Sequence, residues 1–299
     1  MDTTKILRFH FNNLWDNPGL RFDESINYIN HEFHNKDKFF IANKFTNGFV
    51  SLITSKSLPA LGVKLLSSTD AMEELNTSVN LSFGYLYKSS FDSLRRALEI
   101  TIIGQYFELV KNSFESAFDW VYSKSETPRF SKMINELLIN EDFKEINSRF
   151  DWKNKILQHY WELCDFSHTK GHEKSIISLN KRSIFKPDIN KEGLECFLNY
   201  YITTVEHISI IYSIQNPILI IGLPVIEKFG YSGNHGFFTE DQAMNLRNLL
   251  PKEYLEYIQQ LTRFEDIQQK VKEIKELPDS ESYLKLKELL DDLNKNNAL

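Results

Sequence analysis

Glycine and proline are scarce, 11 and 8 among 299 residues. A sandwich or barrel with many tight turns needs more of both, so the shortage argues against a β architecture. Cysteine is scarcer still. Cys164 and Cys196 sit inside helical patterns, and two such thiols do not make a disulfide frame; reduced, half-buried side chains in a cytosolic protein are expected. An excess of positive charge is also missing. The net charge is −6 and the pI about 5.8, which disfavours a non-specific coat for nucleic acid but leaves room for a local basic pocket. The opening MDTTKILRFHFNNLW lacks the basic start and apolar run of a secretory signal, so a cytoplasmic location is expected. One uncharged run approaches spanning length, Ile208 to Ile226, but Gln215-Asn216-Pro217 and then Gly222 and Pro224 interrupt it. A buried helix end, a turn and a second short buried segment are expected there, not a membrane span. P-loop, GxGxxG, GxSxG and HExxH patterns are absent, and the pairs His168/His172 and His31/His34 have no clear third ligand. Neither a metal nor a cofactor is expected.

What the chain does have is aromatic and aliphatic bulk, 41% apolar with 23 phenylalanines, enough for a sizeable core. The stretch Leu81–Val110 organises it. At 100° per residue Phe91, Leu94, Leu98, Ile102 and Tyr106 fall in one wide arc, as in a helix at the centre of a bundle. Asp92, Arg95, Arg96 and Glu99 fall inside that arc. Burying such charges alone costs several kcal/mol, so they must be paired or line a cavity.

An all-α fold follows, with a core from residues 69–122, 151–169 and 190–215. Thr69 or Asp70 is expected to cap a helix that runs on or kinks near Gly84 or Ser89–Ser90. Phe114–Tyr122, Phe130–Leu138 and Asp142–Ile146 read as shorter helices. Asp151 and Asn190 are expected to cap the next two, with Gly171 ending the first. Three regions result. Residues 1–65 hold short elements, including a helix over Phe22–Phe33 and an ambiguous run Lys38–Phe45. Residues 66–216 form the core. Residues 217–299 hold a flexible loop at Gly230–Gly236, a helix capped by Thr239, one from Pro251 to Lys275, and a final charged helix after Pro278. A small basic loop, Lys181, Arg182 and Lys186 around Phe185, reads as solvated.

The second notable stretch is Tyr160-Trp-Glu-Leu-Cys-Asp-Phe-Ser-His168-Thr169. Tyr160, Cys164 and His168 form one i, i+4 column, and a histidine on the inward edge of a helix end is suited to proton transfer near neutrality. A long helix with R-x-x-x-E (Arg95, Glu99) followed by Y-x-x-L-C-x-x-x-H-T (Tyr160, Leu163, Cys164, His168, Thr169) resembles uncharacterised bacterial HEPN-like proteins over about residues 66–216. These are helical bundles related to HEPN ribonucleases and abortive-infection proteins. The resemblance implies RNA binding or metal-independent cleavage, in phage defence or a toxin–antitoxin-like system, by a homodimer. Arg95 would hold phosphate, His168 would transfer the proton and Glu99 would orient one of them, with Arg96, Tyr160 and Asp165 beside the substrate. The family's R-x4-6-H is not met: no arginine stands four to six residues before His168, and Arg149 is too far away.

A second reading stands beside it. The same polar residues can form a buried network that fixes helix packing in a non-catalytic scaffold or sensor, with residues 217–299 binding a protein partner.

Overall fold

A computed structural model describes residues 18–48, 58–111, 113–168, 190–224, 228 and 239–296. Thr169, Gly171, His172, the basic loop around Phe185 and the Gly230–Gly236 loop lie outside these residues. The fold is all-α, with fourteen α-helices among the described residues. The one β pairing among them is a single bridge between Leu223 and Thr239.

The N-terminal part contributes α1 (Pro18–His31) and α2 (Lys36–Gly48). The ambiguous run Lys38–Phe45 is therefore helical. Its buried Phe39, Ala42 and Phe45 recur at intervals of three, a helical face rather than a strand's alternation. The core follows: α3 (Leu58–Phe83), α4 (Tyr87–Tyr106), a π-helical turn at Phe107–Lys111 and α5 (Phe114–Val121). Next come α6 (Phe130–Leu137), α7 (Glu141–Phe150) and α8 (Trp152–Ser167). Then α9 (Lys191–Gln215) and the four-residue α10 (Ile218–Ile221) close the apolar run. The C-terminal part is α11 (Glu240–Leu249), α12 (Lys252–Gln259), α13 (Thr262–Glu276) and α14 (Asp279–Asn296).

α4 is the central helix, packed most extensively on α3 and then on α8, α9 and α6. Its Phe91, Leu94, Leu98 and Ile102 are fully buried. α3 and α4 approach closely where Gly104 meets Ser67: a Cβ on Gly104 would lie 2.2 Å from Ser67 Oγ.

Several local expectations are corrected. Thr69 and Asp70 do not cap a helix, because α3 already begins at Leu58 and passes through them; it also crosses residue 66. The break before α4 comes at Gly84–Leu86. Tyr85, not the glycine, takes the left-handed conformation, φ 64°. That backbone disfavours a side chain, but the Tyr85 hydroxyl donates to Glu24 Oε2 at 2.7 Å and the Arg21 guanidinium sits 5.5 Å from its ring. Asp151 stands at the start of α8 without a side-chain capping bond and also adopts the left-handed region, φ 53°. Asn190 does cap α9, its Oδ1 accepting from Gly193 N at 3.1 Å. Thr239 caps α11 in a reciprocal box with Gln242. The helix expected from Pro251 to Lys275 is two helices, divided at Gln260–Leu261.

The uncharged run bends as its prolines and glycine suggest. α9 ends at Gln215, and Gly222 takes φ 79° where any Cβ would lie 2.7 Å from Glu240 Cα. Among the described residues no helix is long and apolar enough to cross a membrane.

Candidate functional site

The charges on α4 do not enter the deepest part of the core. Asp92, Arg95, Arg96 and Glu99 lie along its edge, half-buried, where α3 and α8 flank it. Helical spacing makes the first contacts. Arg95 Nη1 donates to Glu99 Oε2 at 3.1 Å across one turn. Arg95 Nε donates to Asp92 Oδ1 at 3.2 Å, and Arg96 Nη1 donates to the other oxygen, Asp92 Oδ2. One carboxylate thus bridges both guanidiniums. The remaining edge of Arg96 is taken from α3: Nε and Nη2 donate to Glu74 Oε1 and Oε2 at 2.8 and 3.0 Å. This two-toothed geometry is the strongest form of the arginine–carboxylate pair.

α8 closes the cluster from the other side. The Tyr160 ring stacks on Phe130 of α6, centroids 3.8 Å apart and 8° from parallel. That stack sets its hydroxyl beside Arg95 and near Glu99. Burial first, and then the Glu99 charge, push the Tyr160 phenol up to about 12, while Arg95 pulls the other way. Burial opposes the Arg95 charge, but Tyr160, Asp92 and Glu99 together outweigh it and hold its pKa above the ordinary value. Glu99 is shifted up, by burial and by Asp92, against the pull of Arg95. Cys164, one turn on from Tyr160, is also shifted up by burial. It is not an activated nucleophile, since the thiolate is the reactive form.

The expected site residues therefore divide. Arg95, Arg96, Glu99 and Tyr160 come together. Asp165, half-buried, bears on Cys164 and on Tyr200 of α9, raising both. His168 does not join them. It is exposed at the C-terminal cap of α8, where its backbone N–H donates to the Cys164 carbonyl at 2.8 Å. Among the described residues its imidazole makes no hydrogen bond or ion pair with Arg95 or Glu99. The inward edge expected for it is occupied instead by Phe166, which stacks on Phe91 of α4 at 4.0 Å. His168 follows one residue after α8 ends and faces water.

Glu74 belongs to the cluster and was not foreseen. In the sequence it looks like an acidic residue in the first turn of a helix; with α3 starting sixteen residues earlier it is mid-helix and turned toward α4. No local pattern signals a contact spanning 22 residues between two helices. Among the described residues no group of three or more metal-ligating side chains occurs.

The fold and the cluster define an all-α helical bundle with a carboxylate-clamped arginine pair where α3, α4 and α8 meet. The chain matches no family model, no curated protein and no solved structure.

Proposed function

We propose that the protein is a non-catalytic helical scaffold whose arginine–carboxylate network fixes the α3–α4–α8 junction, with residues 217–299 contacting a protein partner. The observation carrying this reading is the count of charges. Glu74, Asp92 and Glu99 face two guanidiniums, which leaves the cluster at 2 − 3 = −1. A phosphate reaching either arginine would compete with carboxylates already bonded to it, and the surplus negative charge of the cluster opposes it. Exposed Met244, Tyr283 and Leu284 on α11 and α14 support the partner-binding part. The test is a metal-free cleavage assay of the full chain on structured and single-stranded RNA, with Arg95→Ala alongside. No cleavage is expected. Cleavage by the wild type that Arg95→Ala abolishes would overturn the reading.

One observation favours the HEPN-like alternative, RNA binding or cleavage in phage defence or a toxin–antitoxin-like system, acting as a homodimer. Arg95 lies against Tyr160, on the same helix that ends at His168. In that reading Arg95 holds the phosphate, His168 moves the proton and Glu99 orients Arg95, with Arg96, Tyr160 and Asp165 lining the substrate. It requires the same assay to be positive and to be lost in His168→Ala with the fold intact.

A further inference from the structure

Helix α8 has a second polar feature on the side facing α9. His159 and His207 are each more than nine-tenths buried, with ring centroids 5.2 Å apart and planes tilted by 39°. His159 Nε2 shares a hydrogen bond with Thr204 Oγ1 at 2.8 Å, and Thr204 is already committed to the Tyr200 carbonyl. The Tyr200 ring stacks on His159 at 5.5 Å. His207 Nδ1 is buried with no hydrogen-bond partner.

The charged groups around this pair do not welcome a proton. From α8, Lys155 adds positive potential at His207, and its ammonium sits 5.7 Å from the Tyr254 ring of α12. Glu162, also on α8, is engaged by the Tyr200 hydroxyl at 2.9 Å. On α9, Glu206 pairs with Lys38 of α2 and feels Glu253 of α12. Among the described residues no carboxylate bonds either imidazole. A cation formed here would be buried beside a second imidazole and a lysine.

We propose that the His159–His207 pair is an acid-sensitive latch: neutral, the two rings hold α8 against α9, and a proton on either one parts the helices. A neighbouring face of α8 carries Tyr160 and Cys164 toward Arg95 of α4, so releasing the latch also loosens the arginine–carboxylate network. Burial pushes His159 down to about 4, and burial with His159 and Lys155 pushes His207 down to about 3. An unfolded imidazole titrates at about 6.5. The latch is therefore fully closed above pH 6.5 and weakens as the pH falls toward 4, because the opened state takes up protons the closed state refuses.

The test follows tryptophan emission, to which wholly buried Trp152 on α8 contributes, as the full chain is titrated from pH 7.5 to 3.5. A reversible change taking up about two protons, read from the pH dependence of stability, is expected. The double variant His159→Gln, His207→Phe should move its midpoint down by about one pH unit or more, since it removes both titrating rings. An unmoved midpoint, or uptake of fewer than about one proton, would overturn the latch. Should the variant not fold, imidazole NMR on the wild type decides. Both buried rings must stay neutral until the emission changes and protonate with it; a ring that protonates while emission stays constant sinks the proposal.

Discussion

Asp92 is the residue on which the arginine cluster turns. It alone accepts from both Arg95 and Arg96, whereas Glu99 accepts from Arg95 only. Arg95 and Glu99 keep 23% and 24% of their side-chain surface exposed, which places them between a surface pair and a buried one. Glu99→Ala leaves Arg95 with Asp92, the Tyr160 hydroxyl and water, and should lower stability by about 1 kcal/mol in urea unfolding. Asp92→Ala strands one edge of each guanidinium and should cost about 2 kcal/mol. Equal losses for the two variants would show that Asp92 is not the bridge. His168→Ala, at an exposed cap, should leave stability within about 0.5 kcal/mol of wild type. That reverses what an inward-facing histidine would do. The i, i+4 pairing of Arg95 with Glu99 was legible in the sequence because helical spacing alone brings them together. The orientation of His168 was not, because it depends on where α8 stops, and Phe166 takes the inward place.

At the scale of elements, α3 and α4 form the most extensive helix pair among the described residues. Replacing a mid-helix glycine with alanine ordinarily gains about 1 kcal/mol of helix propensity. At Gly104 the new Cβ would lie 2.2 Å from Ser67 Oγ and 3.1 Å from Ser67 Cβ. Rotating the hydroxyl relieves the first contact and not the second, so overpacking of about 1–3 kcal/mol outweighs the gain. Gly104→Ala should lower the thermal midpoint, and Ser67→Ala in the same chain should recover part of the loss. A rise in the midpoint for Gly104→Ala alone would show that the two helices can move apart freely. The α6–α8 contact includes an aromatic stack. Phe130 is buried and parallel to Tyr160, so Phe130→Ala should cost about 3–5 kcal/mol and free the Tyr160 ring. Helix caps were the most readable element signals where the helix begins at the cap, as at Asn190 and Thr239. Thr69 and Asp70 misled because a good capping residue is also tolerated inside a helix whose packing is already secured.

Over the whole molecule, the terminal parts are tied to the same bundle. α2 packs on α9 and on α11, with Thr46 and Tyr201 hydroxyls 2.9 Å apart in the buried seam. Arg263 on α13 reaches Asp142 of α7 at 2.8 Å and also donates to the Ile214 carbonyl near the end of α9. It thereby satisfies a helix-end acceptor and links three elements. Arg263→Ala should cost about 2 kcal/mol and make the segment after α9 more readily cut in limited proteolysis; unchanged digestion would show that α10–α13 are held without it. The sequence by itself determined the helical class, the central place of Leu81–Val110, the bend at Asn216–Pro217 and the caps at Asn190 and Thr239. Each of these rests on spacing or on a backbone preference within a few residues. Only the tertiary structure decided that Glu74 completes the arginine clamp, that Asp92 bridges it, that His159 meets His207, and that His168 faces outward. Those contacts join separate helices, and their partners follow from how far each helix extends and how it is rotated against its neighbours, which no local pattern of residues encodes.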